Sequence, residues 1–204
     1  MFITIEGIDG SGKTTASNFL AEHLQSIYGE EKVILTREPG GTNFAEDIRK
    51  LLLKNNQIDP IAELLLFISM RKEHVEKLIR PALKEKKIVI CDRFIHSTIA
   101  YQGYGYGIDI KVIKELHEIA KIPHPDMTFI LDIEISVGLQ RAAHKNKYEE
   151  MGIDFYNKVK DGFYDIAQSD LNCCHIIKSN SNLSYQQILT ILKKKLEVIN
   201  HANL

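Results

Sequence analysis

Gly7-Ile8-Asp9-Gly10-Ser11-Gly12-Lys13-Thr14 follows directly on the apolar run Phe2-Ile3-Thr4-Ile5 and on Glu6. No other stretch constrains the fold as much. Glycines at 7 and 12, with lysine and threonine closing the stretch, satisfy the P-loop pattern, which requires a strand before it and a helix after it. The glycines let successive backbone N–H groups turn inward around phosphate oxygens, and the helix start adds the positive end of its dipole. In such a loop the lysine reaches the β- and γ-phosphates and the threonine hydroxyl ligates Mg²⁺. Gly7, Ile8, Asp9, Gly10, Ser11, Gly12, Lys13 and Thr14 are therefore the candidate nucleotide cradle. A chance glycine-rich turn does not explain the strand and helix patterns that flank it.

The rest of the chain repeats the strand–helix alternation. Short apolar runs at 2–6, 32–36, 87–92, 127–132 and 175–178 read as strands. Several are nearly continuous in Ile, Val and Leu, as parallel strands covered on both faces require. Helical patterns lie at about 14–28, 43–54, 60–85, 109–121, 134–143, 150–171 and 183–200. The alternation predicts an α/β fold: a doubly wound, five-stranded parallel sheet with helices on both faces. With 204 residues and no linker or repeat, the chain reads as one domain over 1–204.

Composition removes several classes of function. A net charge of −1 argues against a general nucleic-acid or membrane-binding surface. No apolar run approaches the roughly 18 residues of a membrane span, and 2–5 is too short for a signal-peptide core. Cys91, Cys173 and Cys174 are an odd number without ligand spacing. In a strand, neighbouring side chains of Cys173-Cys174-His175 point to opposite faces, so buried reduced thiols fit better than a metal site. These features lead to the expectation of a cytoplasmic protein.

In open parallel sheets ligands collect beyond the carboxyl ends of the strands. Gly7, Arg37, Asp92-Arg93 and Asp132 all fall at predicted strand ends. Asp92 is placed to organise Mg²⁺ together with Thr14, and Arg93 to bridge donor and acceptor phosphates. Arg37, in Thr36-Arg37-Glu38-Pro39-Gly40-Gly41-Thr42, fits either a second anion site or a surface pair with Glu38. If 94–102 is helical, Ser97 and Tyr101 share a face, leaving Tyr101 and Gln102 to meet a sugar and a base. The Gly-Tyr alternation that carries Tyr104 and Tyr106 reads as a flexible loop. Phe67 and Arg71, one turn apart, suit a nucleobase through stacking and hydrogen bonding, although taken alone a core aromatic beside a rim arginine is the better reading. A basic segment running from Arg141 through His144, Lys145 and Lys147 suits a lid, at about 142–152, closing over polyphosphate.

Phosphate binding alone is compatible with a switch GTPase, a motor ATPase or a small-molecule kinase. Asn146-Lys147-Tyr148-Glu149 approaches a guanine-reading motif but ends in Glu and does not follow a strand. The chain also has no room for motor modules. No Ser/His/Asp arrangement or paired general-base carboxylates stand out, and a phosphate-monoester acceptor needs none, being largely dianionic at neutral pH with a second pKa near ~6.

Taken together, Ile5 to Thr15, Thr36 to Thr42, Asp92-Arg93-Phe94, Ser97 to Gly103, Pro125 to Thr128, Leu131-Asp132 and Gly138 to Arg141 resemble the bacterial thymidylate kinase family, from residue 2 to about 170 in order. The resemblance implies transfer of the ATP γ-phosphate to dTMP, giving dTDP, with Mg²⁺ and as a homodimer. It implies that Gly7 to Thr14 hold ATP and that Asp9 reaches the acceptor's phosphate or 3′-hydroxyl region. Phe67 would stack on thymine, with Arg71 and Gln102 reading its edge. Tyr101 would crowd the 2′ position, Arg37 and Arg93 would hold the acceptor phosphate, and Glu38 and Ser97 would complete that site. Lys13, Asp9, Arg93 and Arg141 are then the catalytic set. The P-loop lacks arginine, which matches the variety whose basic catalytic residues sit in the lid. This lid carries fewer arginines than the family's, so the resemblance leaves open whether Arg141, His144, Lys145 or Lys147 meets the transferring phosphoryl group.

Overall fold

A computed structural model describes residues 1–55, 57–142, 151–179 and 183–202. The strands are β1 (Phe2–Gly7), β2 (Val33–Arg37), β3 (Ile88–Asp92), β4 (Met127–Asp132) and β5 (Cys174–Lys178). They form a parallel sheet in the order β2-β3-β1-β4-β5. The predicted strands were right to within a residue at each end. The P-loop thus leaves the central strand, with charged strand ends on both sides of it.

Both sheet faces are covered, which explains the near-continuous apolar strands. Ile3 and Ile5 of β1, Ile90 of β3, and Phe129 and Leu131 of β4 pack under α1 (Lys13–Tyr28) and α9 (Leu183–Ala202). The alternate residues Phe2, Val89 and Cys91 face the opposite side, against Val75, Ile79, Phe94 and Ile95. Ile130 lies on that side too, in a cluster with Tyr156, Val159 and Phe163 of α8 (Gly152–Ser169).

The remaining helices are positioned by their starts. The Thr42 hydroxyl accepts from Ala45 N–H to cap α2 (Asn43–Lys54), and Asp59 accepts from Ile61 and Ala62 N–H to cap α3 (Pro60–His74), where Pro60 sits in the first turn. The single helix predicted over 60–85 is interrupted. A π-helical turn (Val75–Ile79) separates α3 from α4 (Arg80–Lys84). Pro81 accounts for the break, since it donates no N–H and its ring crowds the carbonyl four residues back.

A second π-helical segment, Ile99–Gly105, continues α5 (Ile95–Thr98). It corrects the flexible-loop reading of Tyr104 and Tyr106. Tyr104 Oη donates to Asp165 Oδ2 at 2.9 Å and its ring lies against Gly162, where a Cβ would collide with it. Gly105 lies just as tightly against Phe155, and Tyr106 packs on the same cluster. α6 (Ile110–Ile119), α7 (Ile135–Arg141) and a 3₁₀ turn (Glu30–Lys32) are the other helical elements of the described residues. Cys91 and Cys174 are buried and Cys173 half-buried, all with free thiols.

Candidate active site

The P-loop backbone demands its glycines. Gly7, Gly10 and Gly12 have φ of 136°, 72° and 89°, outside the range side chains favour. A Cβ on Gly10 would overlap the backbone of Gly138, and one on Gly138 would meet Asp9 O at 2.8 Å. Helix α7 therefore braces the loop through a glycine–glycine contact. Ser179 Oγ, beyond β5, donates to Ser11 O at 2.5 Å from the other side. Ile8 turns its side chain into the core, while its carbonyl accepts from Lys13 Nζ at 2.7 Å.

The loop opens into a cleft of about 840 Å³, ample for nucleotide-sized ligands. Asp9, Gly10, Gly12, Lys13 and Thr14 line one half of it, together with Arg141 and Tyr185. Arg37, Glu38, Phe67, Arg71, Asp92, Arg93, Ser97, Tyr101 and Gln102, from α3 and from the segments at and after the ends of β2 and β3, line the other half. The structure thus brings together the candidate residues from three strand ends, those of β1, β2 and β3, and from three helical segments. Asp132 is the exception: it accepts from Tyr164 Oη at 2.8 Å, pairs with Lys160 Nζ at 2.8 Å, and takes no part in the cleft wall. The reading of every charged strand end as part of the site is corrected there. His144, Lys145 and Lys147 lie outside the described residues.

Asp9 is the joint between the halves. Its Oδ1 accepts from Arg93 Nη2 at 2.6 Å, and its Oδ2 accepts from Tyr101 Oη at 3.1 Å and Tyr156 Oη at 3.2 Å. Burial works to raise its pKa, but Arg93 and then Lys13 outweigh it and hold the carboxyl down at about 2. Asp9 is thus a fixed anion. Burial first, and Arg93 second, bring Lys13 down to about 8, opposed by the carboxylates of Asp9, Asp92 and Glu6.

Arg93 occupies a left-handed backbone conformation, φ 69°, of the kind that clusters at functional sites. Glu6 holds that turn in place. Its Oε1 accepts from Phe94 N–H at 2.8 Å and its Oε2 from Ser97 Oγ at 2.5 Å. Burial pushes the Glu6 carboxyl up, opposed by these contacts. The Arg93 guanidinium also donates to Gly7 O and Ser97 Oγ, each at 3.2 Å, and stacks 5.2 Å from the Tyr101 ring centre.

Arg71 is not a rim residue. It is 2% exposed and donates to Glu38 Oε2 at 2.6 Å, Thr98 Oγ1 at 2.9 Å and Phe94 O at 3.0 Å. Glu38 in turn pairs with His74 Nδ1 at 3.0 Å. Gln102 is buried and donates to Glu63 Oε1 at 3.0 Å. Phe67 is half-buried, packs against the Ala45, Leu52 and Met70 cluster and lines the cleft. Arg37 pairs with Glu46 at 2.8 Å, settling its surface pairing on Glu46 instead of Glu38.

Sequence reasoning missed Tyr156, Glu6 and Arg49. Arg49 Nη1 donates to Pro39 O at 2.8 Å and lines the cleft beside Arg37. A helical arginine seven residues past Thr42 carries no motif, although its place on the first helix after the Arg37 segment is a usable hint.

Thr14 Oγ1 donates to Asp92 Oδ2 at 2.7 Å. This puts two hard oxygen ligands side by side at the cradle's mouth. They suit Mg²⁺, which takes only one or two protein oxygens and keeps several waters. Among the described residues no cluster of three or more His, Cys, Asp or Glu gathers as a metal site.

A parallel sheet with a P-loop on its central strand, facing an arginine-rich half-cleft, defines a P-loop nucleotide kinase. The comparisons agree. The family model described as Thymidylate kinase matches residues 5–188, and the chain belongs to that family. A thymidylate kinase of Wolbachia pipientis subsp. Culex pipiens (strain wPip) is 60% identical over 199 residues, covering 96% of this chain and 97% of that one. One from Ehrlichia ruminantium (strain Gardel) is 50% identical over 203 residues, covering 99% and 100%. The crystal structure of thymidylate kinase from Ehrlichia chaffeensis superposes with a TM-score of 0.83 at 48% identity, covering 94% of this chain and 98% of that chain.

Proposed function

We propose that the cleft carries the γ-phosphoryl group of ATP to the 5′-phosphate of dTMP, giving ADP and dTDP for dTTP synthesis. The observation that carries this reading is the Asp9–Arg93 pair. It ties the P-loop to the turn after β3, so the donor cradle and the acceptor half-cleft share one rigid joint.

The chemistry this requires is positioning and charge neutralisation. Lys13, held against Ile8 O, is the cation of the loop for the β- and γ-phosphates. Arg93, paired with Asp9, and Arg141 both line the cleft and would neutralise charge on the phosphates. Arg37 and Arg49 form a cationic wall for the acceptor phosphate. Phe67 offers a ring face to the base, while Tyr101, locked to Asp9, sets the sugar's place. No general base is assigned, because a nucleoside monophosphate arrives already deprotonated. Thr14 and Asp92 would hold Mg²⁺, which, when bound, neutralises charge across the β- and γ-phosphates.

The homodimer belongs to the same proposal. Phe44 and Leu51 on α2, Ile61 and Leu65 on α3, and Val112 and Ile119 on α6 are exposed large apolar side chains. α2 packs on α3, and α3 on α6, so these residues sit on neighbouring helices, the kind of face a second copy covers.

Lys13→Ala tests the phosphate role. Turnover should fall by at least about 100-fold, the usual cost of removing one preorganised charge-stabilising group, with the circular dichroism spectrum unchanged. Turnover within a few-fold of the parent would remove Lys13 from the mechanism.

A further inference from the structure

His117 lies on α6, outside every motif of the chain, yet it touches the arginine proposed to read the acceptor base. A guanidinium has five N–H donors and no acceptor. Arg71 spends one on Glu38 Oε2, one on Phe94 O, and the two on Nη1 on Thr98 Oγ1 and His117 Nε2. The fifth, on Nη2, has no partner among the described residues, and Arg71 lines the cleft.

The contacts on His117 assign its protonation. Nε2 lies 2.7 Å from Arg71 Nη1, a nitrogen that only donates, so Nε2 must carry its lone pair. Nδ1 lies 2.7 Å from Ile113 O, a carbonyl that only accepts, so Nδ1 must carry the proton. The ring is therefore neutral and in one tautomer, at 8% exposure. Burial, with Arg71 next in weight, keeps it from protonating down to about pH 3. One end of the imidazole is fixed to its own helix turn and the other to the guanidinium.

We propose that His117 is a positioning residue for acceptor recognition: as a neutral acceptor it fixes the guanidinium plane of Arg71, leaving one N–H of Nη2 for a carbonyl oxygen on the base. A donor with no acceptor capacity favours a 4-oxo pyrimidine and disfavours a 4-amino one, whose exocyclic group also donates. The inference rests on the reading that the acceptor base lies over Phe67 beside Arg71.

Steady-state kinetics with dTMP and dCMP on the full chain test it. His117→Leu removes the acceptor and should raise the KM for dTMP by about tenfold, as for a lost buried hydrogen bond to a charged group, and narrow the dTMP-to-dCMP preference. The KM for ATP and kcat should stay within about twofold. His117→Gln, whose amide oxygen accepts, should recover most of the loss. In Arg71→Ala, the further change His117→Leu should add nothing, because the histidine acts through the arginine.

If Arg71→Ala leaves the dTMP KM unchanged, the base-reading role itself fails. If Arg71→Ala raises it and a folded His117→Leu does not, the positioning role alone fails. Equal losses for ATP and dTMP would assign His117 a purely structural role and overturn the proposal. A readout on the unaltered protein stands independently of whether any variant folds. Nitrogen NMR of ¹⁵N-histidine-labelled protein should show His117 Nε2 unprotonated and Nδ1 protonated at neutral pH. The opposite tautomer or an imidazolium would overturn the assignment.

Discussion

At the scale of single residues the cleft is a set of charges locked before any ligand arrives. Asp9 is held by Arg93, Tyr101 and Tyr156, and Arg71 by Glu38, Thr98, His117 and Phe94. Such preorganisation spares the reaction the cost of arranging its dipoles. Phe67 is the residue whose double duty is easiest to separate. Phe67→Ala should raise the KM for dTMP about tenfold, the size of a lost base–aromatic stack, and leave that for ATP nearly unchanged. Because the ring also packs against Met70 and Leu52, the melting temperature should drop as well. Equal losses for both substrates would reduce Phe67 to a core residue. Arg37, Phe67, Arg93 and Tyr101 were legible in sequence because strand ends and helical spacing place them. Tyr156, 147 residues from Asp9, was not, since nothing local marks a tyrosine on an amphipathic helix as a partner of a distant loop. Glu6 and His117 escaped for the same reason: nothing in the neighbouring sequence names a partner that only the fold brings close.

At the scale of elements, the strands and most helices were readable because both sheet faces are buried and the helix starts carry their own caps at Thr42, Asp59 and Asp109. The π-helical segments were not readable, because periodicity cannot register one extra residue per turn. The second of them, Ile99–Gly105, carries Tyr101 and Gln102 into the cleft and places Tyr104 against α8, so an apparent loop is a packed part of the site. The brace between α7 and the P-loop gives a prediction at this scale. Gly138→Ala adds a methyl against Asp9 O at a position outside the cleft lining. It should lower kcat by about tenfold or more, as small misplacements of a reacting geometry do, with only a modest loss of stability. Unaltered kcat would show that the loop tolerates displacement by α7.

At the scale of the molecule, the sheet order puts β1 at the centre, with β3 and β2 on one side and β4 and β5 on the other. The donor cradle therefore sits between the acceptor arginines and the helices that follow β4 and β5. Among the described residues no helix is long and apolar enough to cross a membrane. The exposed apolar residues on α2, α3 and α6 give the prediction for assembly. Leu65→Glu should shift sedimentation from dimer to monomer at micromolar concentration, since an introduced charge at an apolar interface goes unpaired. A dimer that survives this change, together with the same change at Ile61, would place the interface elsewhere.

The central claim is that one cleft joins ATP to a thymine-bearing monophosphate, and the initial rate of Mg-ATP-dependent phosphorylation across acceptors tests it most directly. With dTMP, dUMP, dCMP and thymidine measured side by side, the account predicts the highest kcat/KM for dTMP. It predicts a lower value for dCMP, which meets the Arg71 donor with an amino group, and negligible turnover of thymidine, which gives Arg37, Arg49 and Arg93 no phosphate to hold. Thymidine or dCMP turned over as efficiently as dTMP would contradict it.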